Sequence, residues 1–113
     1  MLTLRRTLRQ QAFVAAVIYL VITCWMLWPL PRYAGSAVQD PGDPLMQIWV
    51  MRSIQHNLVH QPLHLFDGTA FYPFQLSLAY SEEAISTALL AWPVYLVSGN
   101  DILAYNVLFI ATF

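Results

Sequence analysis

An uninterrupted apolar run near the N-terminus constrains this chain more than any other feature. The run extends from Ala12 to Leu30 over 19 residues without a charge, and arginines at positions 5, 6 and 9 precede it. At a rise of about 1.5 Å per residue, such a helix reaches roughly 28 Å, close to the ~30 Å hydrocarbon core of a bilayer. The sequence therefore predicts a transmembrane helix over 12–30, after an N-terminal segment of residues 1–11.

The composition agrees with lipid as the solvent for much of the chain. Hydrophobic residues make up 58% and charged residues only 10%, whereas a soluble domain has about 25% charged residues. The formal net charge is −1 and lysine is absent, so there is no basic patch for nucleic acid. Cys24, the single cysteine, cannot form an internal disulfide. The expected partner is therefore membrane lipid, and not nucleic acid.

The placement of the arginines predicts the orientation of this helix. Three arginines precede the apolar run, and only Arg32 and Arg52 follow it. Because cytoplasmic flanks are enriched in basic residues, residues 1–11 are expected in the cytoplasm and residue 33 onward outside. The predicted location is the bacterial cell membrane, with more than one pass.

A cleaved signal peptide ahead of a secreted domain is the alternative interpretation of residues 1–32. Such peptides have an apolar region of about 7–15 residues and a small-residue cleavage site, and Ala34-Gly35-Ser36 offers one. The run here is longer, and Trp25, Trp28 and Tyr33 gather at its far end as interfacial aromatic residues do. Both features favour a retained anchor.

The remaining chain predicts an external loop over 31–83 that contains an interfacial amphipathic helix over 44–60. Asp43 before Pro44 is typical of a helix start, with aspartate as the cap and proline in the first turn. Apolar residues then recur at three- and four-residue steps, namely Leu45, Ile48, Trp49, Met51, Ile54 and Leu58. Polar residues are expected mostly on the opposite side, namely Arg52, Gln55, His56, Asn57 and His60.

Two further apolar segments follow. Residues 84–98 predict a short apolar helix, interrupted by Pro93, that is either embedded in the membrane or re-entrant. Residues 101–113 are expected to begin a further transmembrane helix that is cut short, so the chain is interpreted as a fragment or a truncated gene product. The predicted fold class is an all-α membrane protein.

The acidic residues are the main candidates for chemistry. Asp40 and Asp43 suit a general base or a divalent-metal ligand at the membrane surface. The alternative is that Asp43 caps the helix and Asp40 lies in a solvated turn. Glu82, beside Glu83, is a candidate for substrate or metal binding, or is favoured by the dipole of the following helix.

Two groups of ring-bearing residues are weaker candidates. Tyr72, in the aromatic run 71–74, suits stacking against a sugar ring, or packing at the membrane interface. His56, His60 and His64 are spaced by four, as metal ligands on a helix can be, but Pro62 separates the last two. The alternative is a set of interfacial polar residues.

An ordered set of short motifs points to a family. These are Gly42-Asp43-Pro44-Leu45 with Trp49, His64-Leu65-Phe66-Asp67-Gly68, Phe71-Tyr72-Pro73, Leu78-Ala79-Tyr80-Ser81-Glu82, Pro93-Val94-Tyr95, Gly99-Asn100 and Ala104-Tyr105-Asn106. Their order resembles the N-terminal part of large bacterial polytopic membrane proteins related to the GT-C glycosyltransferases. The resemblance covers nearly all of residues 1–113, but only the opening of such a protein.

The resemblance implies an enzyme that uses a polyprenyl-phosphate sugar donor at the outer face of the membrane. It implies that Asp43 is the acidic catalytic residue, deprotonating the acceptor or helping to hold a divalent metal such as Mg²⁺ or Mn²⁺. Asp40 is the nearby alternative, and Glu82 is a second candidate. A small non-catalytic integral membrane protein or subunit is the alternative function.

Overall fold

The computed structural model describes residues 2–71, 73–80 and 84–113, with side chains from residue 7 onward. Within these ranges the chain is helical and contains no β-strand, which confirms the all-α part of the prediction. The four α-helices are α1 (Leu2–Met26), α2 (Asp43–His60), α3 (Ile85–Ser98) and α4 (Asp101–Ala111). Short 3-10 helices cover Leu30–Tyr33, Pro62–His64 and Ser77–Tyr80.

Helix α1 contains a stretch that is long and apolar enough to cross a membrane. The stretch Thr7–Met26 has 20 residues and a mean hydropathy of 1.4, and 6% of it is buried. The helix ends at Met26 rather than at the predicted residue 30, since a residue before a proline disfavours helical geometry and Pro29 follows closely. At its other end the helix includes most of the segment 1–11.

Helix α1 projects away from the rest of the molecule. The radius of gyration is 17.8 Å, whereas a compact chain of this length has roughly 13 Å. Apolar side chains along α1 are open to solvent, with Phe13 70% and Trp25 79% exposed. The described part of the chain therefore consists of a projecting helix and a packed unit, α2–α4.

The packed unit has a small apolar core at the crossing of its three helices. Ile54 of α2 is 1% exposed, and it lies among alanines of α3 and α4 that are all nearly inaccessible. These alanines are Ala88, Ala91 and Ala104. Because alanine adds only a methyl group, the helix backbones can approach closely there, and a larger side chain would separate them.

A tight turn joins α3 to α4. Gly99 ends α3 with φ of 64°, a left-handed conformation that glycine adopts without steric cost. Asn100 then caps α4, because its Oδ1 accepts a hydrogen bond from the Leu103 N–H at 2.9 Å. Helices of 14 and 11 residues reach only about 21 and 16 Å, so neither alone matches the ~30 Å bilayer core.

The polar side of α2 differs from the sequence prediction at two residues. Gln55 and Asn57 were expected on the outer side but are buried, at 3% and 7% exposure. The Gln55 amide donates to the Ala88 carbonyl of α3 at 2.8 Å. The Asn57 amide donates to three loop carbonyls, those of His64, Leu65 and Asp67. Burial is tolerated because each amide replaces its water contacts with carbonyl acceptors.

Candidate functional site

A groove between α2 and the C-terminal half of α4 contains one of the predicted site residues, Asp43. Its volume is about 520 Å³, within the ~300–1,000 Å³ range of small-molecule sites. The groove is lined by Asp43, Met46, Gln47, Val50, Met51, Tyr80, Ala84, Thr87, Tyr105, Leu108, Phe109 and Thr112. We call it the Asp43 groove, since Asp43 is the only carboxylate among these residues and none of them is basic.

Asp43 is the first residue of α2, and its side chain lines the groove from that position. The expected capping role is wrong, since Gly42 occupies the cap position and no side chain caps the helix. Asp43 is exposed, and its carboxylate makes no hydrogen bond or ion pair to any described residue.

The other described aspartates all have partners. The Asp40 carboxylate accepts a hydrogen bond from the Gly42 N–H at 2.6 Å, which closes a local turn. Asp67 accepts from the Leu76 N–H at 2.8 Å, and Asp101 lies 3.6 Å from Arg52. Asp43 is therefore the described aspartate whose carboxylate is left for an external group.

Tyr105 lines the same groove from α4 and is 8% exposed. A phenol normally ionises near pH 10, so its hydroxyl is a neutral hydrogen-bond donor and acceptor at pH 7. The rest of the lining is mainly apolar, with Leu108 and Phe109 beside it on α4. The groove thus combines one carboxylate with a mainly apolar lining.

The predicted metal site has one carboxylate in the described part of the chain. No group of three or more His, Cys, Asp or Glu side chains occurs there. Mg²⁺ and Mn²⁺ can bind through one or two carboxylates together with water and substrate phosphate. Asp43 fits such a partial site, and a closed protein cage is not formed by these residues.

The two predicted substrate-binding residues, Glu82 and Tyr72, lie outside the described residues. Among the aromatic residues around Tyr72, Phe71 and Phe74 are 71% and 74% exposed. Phe71 adopts a positive φ of 64°. These two rings are accessible, which is compatible with either stacking or interfacial contact.

A polar cluster that sequence reasoning missed lies where α2 meets the α3–α4 turn. The Arg52 guanidinium donates to the Tyr95 hydroxyl at 2.6 Å and lies 3.8 Å from the centre of that ring. Its Nε is 3.6 Å from Asp101 Oδ1, and both side chains are about two-fifths exposed. Such partly exposed pairs stabilise weakly, but the cluster does join one side chain from each of the three helices.

Asn106 of α4 and its cap residue, Asn100, attach the segment that follows α1. The Asn106 amide donates to the carbonyls of Ala34 and Ala37 at 2.8 and 2.7 Å, and the Asn100 amide donates to Gly35 at 2.8 Å. Asn106 is fully buried, and its Oδ1 has no partner within the described residues. The motif Ala104-Tyr105-Asn106 contained this residue but did not indicate its bonding.

The three histidines form two separate arrangements. The rings of His56 and His60 stack, with centroids 4.3 Å apart. His64 instead contacts Asp67, with Nδ1 2.9 Å from Oδ2. The Leu76 N–H and this histidine lower the pKa of Asp67 below its usual value. The three histidines are equally spaced in the sequence, but they do not form one cluster in the structure.

Comparison with known proteins identifies no relative of this chain. No protein-family model matches it, and neither a curated protein nor a solved structure matches it.

Proposed function

We propose that the chain is the N-terminal part of an integral membrane glycosyltransferase that takes a sugar from a polyprenyl phosphate at the outer membrane face. The ordered motifs of the sequence motivate the family, and the Asp43 groove supplies the supporting geometry. One observation carries the proposal: the described residues leave the Asp43 carboxylate without a hydrogen bond or ion pair, in a groove whose lining is mainly apolar.

In the proposed reaction, Asp43 is the general base. An acceptor hydroxyl attacks the anomeric carbon of the lipid-linked sugar and gives its proton to the Asp43 carboxylate. The bond from that carbon to the phosphate oxygen breaks, and the polyprenyl phosphate leaves with the electron pair. A divalent ion such as Mg²⁺ or Mn²⁺, when bound, neutralises the phosphate charge.

The apolar lining supports this role for Asp43. A carboxylate at the rim of an apolar groove is less well screened than one in bulk water, so its attraction to a cation or a polarised hydroxyl is stronger. Asp40 is the less favoured candidate, because its carboxylate already closes the turn with Gly42. Glu82 and Tyr72 stay candidates for binding the sugar.

The proposed location is the cell membrane, with α1 as the anchor. Its length and hydropathy meet the requirement for a span, and the arginines at positions 5, 6 and 9 favour a cytoplasmic N-terminus. Trp25 and Trp28 are exposed at the opposite end, where aromatic residues anchor a helix in the headgroup region. A multi-pass topology, with 101–113 starting a further span, is part of the same proposal.

The test measures sugar transfer from a radiolabelled polyprenyl-phosphate sugar in membranes that contain the protein as its gene encodes it. Asp43→Asn should abolish transfer without changing membrane insertion, while the matched variant Asp40→Asn should retain it. Full activity of the Asp43 variant would remove this residue from the site. Absence of transfer from every polyprenyl-phosphate donor tested would overturn the enzyme proposal.

A non-catalytic membrane subunit is the second candidate function. The exposed apolar side of α3 favours it, since Leu90, Leu96 and Val97 are 66%, 71% and 91% exposed. Such a surface suits packing against another membrane helix or against lipid. In this case neither Asp43→Asn nor Asp40→Asn should affect sugar transfer, and both variants should still assemble with the partner.

A further inference from the structure

The exposed C-terminal end of α2 carries a pair of histidines with an arrangement that the proposed glycosyltransferase function does not use. His56 and His60 are four residues apart on one helix and therefore share a face. Their ring planes are nearly parallel, inclined by 16°, with 4.3 Å between centroids. Both residues are exposed. Two imidazoles are thus held side by side at the surface.

The hydrogen bond of His60 defines which ring nitrogen is available. Its Nδ1 lies 3.1 Å from the His56 carbonyl oxygen. Because a carbonyl can only accept, Nδ1 carries the proton, and the lone pair of the neutral ring lies on Nε2. Metal-ligating histidines are fixed in the same way, by a bond from the other ring nitrogen to a carbonyl or carboxylate. His60 therefore presents Nε2 outward in a ligating tautomer.

We propose that His56 and His60 form a two-imidazole chelate for a divalent transition-metal ion, of which Cu²⁺, Ni²⁺ and Zn²⁺ are the chemically matched examples. Imidazole is a preferred ligand of these ions, and histidines four apart on a helix supply two ligands from one face. Two nitrogens each about 2.1 Å from one ion lie at most about 4.2 Å apart. In the stacked arrangement the ring planes are nearly parallel, so one ring must rotate out of the stack before both nitrogens point at the same ion.

Water completes the coordination of this site. His64 does not contribute, because its Nδ1 is occupied by Asp67. The described residues contain no group of three or more metal-binding side chains, so a closed structural site is absent from that part of the chain. An open site with two protein ligands exchanges its metal readily and differs from the four-ligand sites that hold folds together.

The chelate is independent of the chemistry at Asp43. The two sites lie at opposite ends of α2, with Asp43 first and His60 last, which corresponds to about 25 Å along the helix. Mg²⁺ and Mn²⁺ prefer oxygen ligands, whereas the histidine pair offers nitrogen. Failure of one proposal therefore leaves the other standing.

The test titrates Cu²⁺ into the full chain in detergent, carrying Cys24→Ser and no polyhistidine tag, and follows binding by calorimetry and pulsed electron paramagnetic resonance. The parent should bind one Cu²⁺ with the modulation pattern of two coupled imidazoles. Loss of one chelating arm removes the local-concentration advantage, so His60→Gln should weaken binding at least about tenfold and leave at most one imidazole signal.

Two controls separate chelation from general histidine binding. His64→Asn should leave affinity and spectrum unchanged. Exchanging neighbours, as His60→Gln with Gln61→His, keeps all three histidines but moves one off the shared face, and should weaken binding as much as His60→Gln alone. Equal affinity of the parent and His60→Gln, or a single-imidazole signal in the parent, would overturn the proposal. Circular dichroism verifies that each variant retains its helices.

Discussion

Helix α1 and the packed unit α2–α4 differ in how far their apolar side chains are buried. In the packed unit, Ile54 is 1% exposed and contacts a core built from three helices. In α1, Ile18 is 52% exposed, and the apolar stretch around it is 6% buried. The same residue type is thus enclosed by neighbouring helices in one region and about half exposed in the other.

The comparison also extends to the polar side chains. The packed unit uses Gln55, Asn57 and Asn106 to link helices and loops through backbone carbonyls. These bonds have defined directions, so Gln55 helps to align α2 with α3, while Asn57 and Asn106 position loop segments. Helix α1 needs only its own backbone bonds, and its apolar surface is stable where lipid or another apolar partner covers it.

The largest expected effect comes from truncating the core of the packed unit. Ile54→Ala should reduce the free energy of unfolding by about 2–5 kcal/mol, through lost burial and a cavity that neighbouring helices fill poorly. Hydrogen exchange of the α3 amides in the full chain measures this loss. The matched variant Ile18→Ala should leave α3 exchange unchanged. Equal effects of the two variants would show that α1 packs on the unit.

The sequence predicted some features of α1 and of the packed unit but not others, and the difference depends on the kind of interaction. Apolar spacing predicted α2 over 44–60, and the helix covers Asp43–His60. The unbroken apolar run predicted α1, but its end required the local effect of Pro29. Gln55 was assigned to the wrong side, because periodicity reports polarity and cannot report a carbonyl of α3 that comes close only after folding.

The same limit applies to the candidate site. Asp43 was chosen by its place in the chain, whereas its lack of a partner and the shape of the groove depend on α4, which lies about sixty residues further along. Likewise, the pairing of Arg52 with Tyr95 and Asp101 joins residues far apart in sequence. Only contacts within a turn or two of helix, such as the His56–His60 pair, follow from spacing alone.

A charge placed on α1 tests whether lipid is its partner. Ile18 lies near the middle of Thr7–Met26, where an arginine costs about 2.5–3.5 kcal/mol for membrane insertion. Ile18→Arg should therefore shift the chain from the membrane fraction to the soluble or aggregated fraction. Fractionation after alkaline extraction measures this shift.

The control for that variant is Val59→Arg in α2, because Val59 is similarly exposed at 60%. Its position in the proposed external region should leave membrane retention unchanged. Retention of both variants to the same extent would contradict the role of α1 as the anchor.

A smaller effect is expected where the two regions join. Asn106→Ala removes the donor for the Ala34 and Ala37 carbonyls, and a buried group left unpaired costs about 1–3 kcal/mol. The segment 34–37 should then exchange its amide hydrogens faster, while amides in the middle of α1 keep their rates. Unchanged exchange at Ser36 and Ala37 would show that Asn106 does not hold this segment.

The smallest expected effect concerns the loop that covers one side of the packed unit. The Leu76 N–H and His64 lower the pKa of Asp67 below 3.8 in the folded protein, so the unfolded chain binds this proton more readily. The carboxylate therefore stabilises the loop fully above about pH 3.8. That contribution is lost as the pH falls through the lower pKa that Asp67 has in the folded protein.

Asp67→Asn removes the charge, so exchange of the Leu76 amide should lose its dependence on pH between about 4 and 2, after correction for intrinsic rates. The exchange of α1 amides should be the same in both proteins, because no contact of Asp67 involves that helix. An identical pH dependence of Leu76 exchange in the parent and the variant would assign the loop's acid sensitivity to another carboxylate.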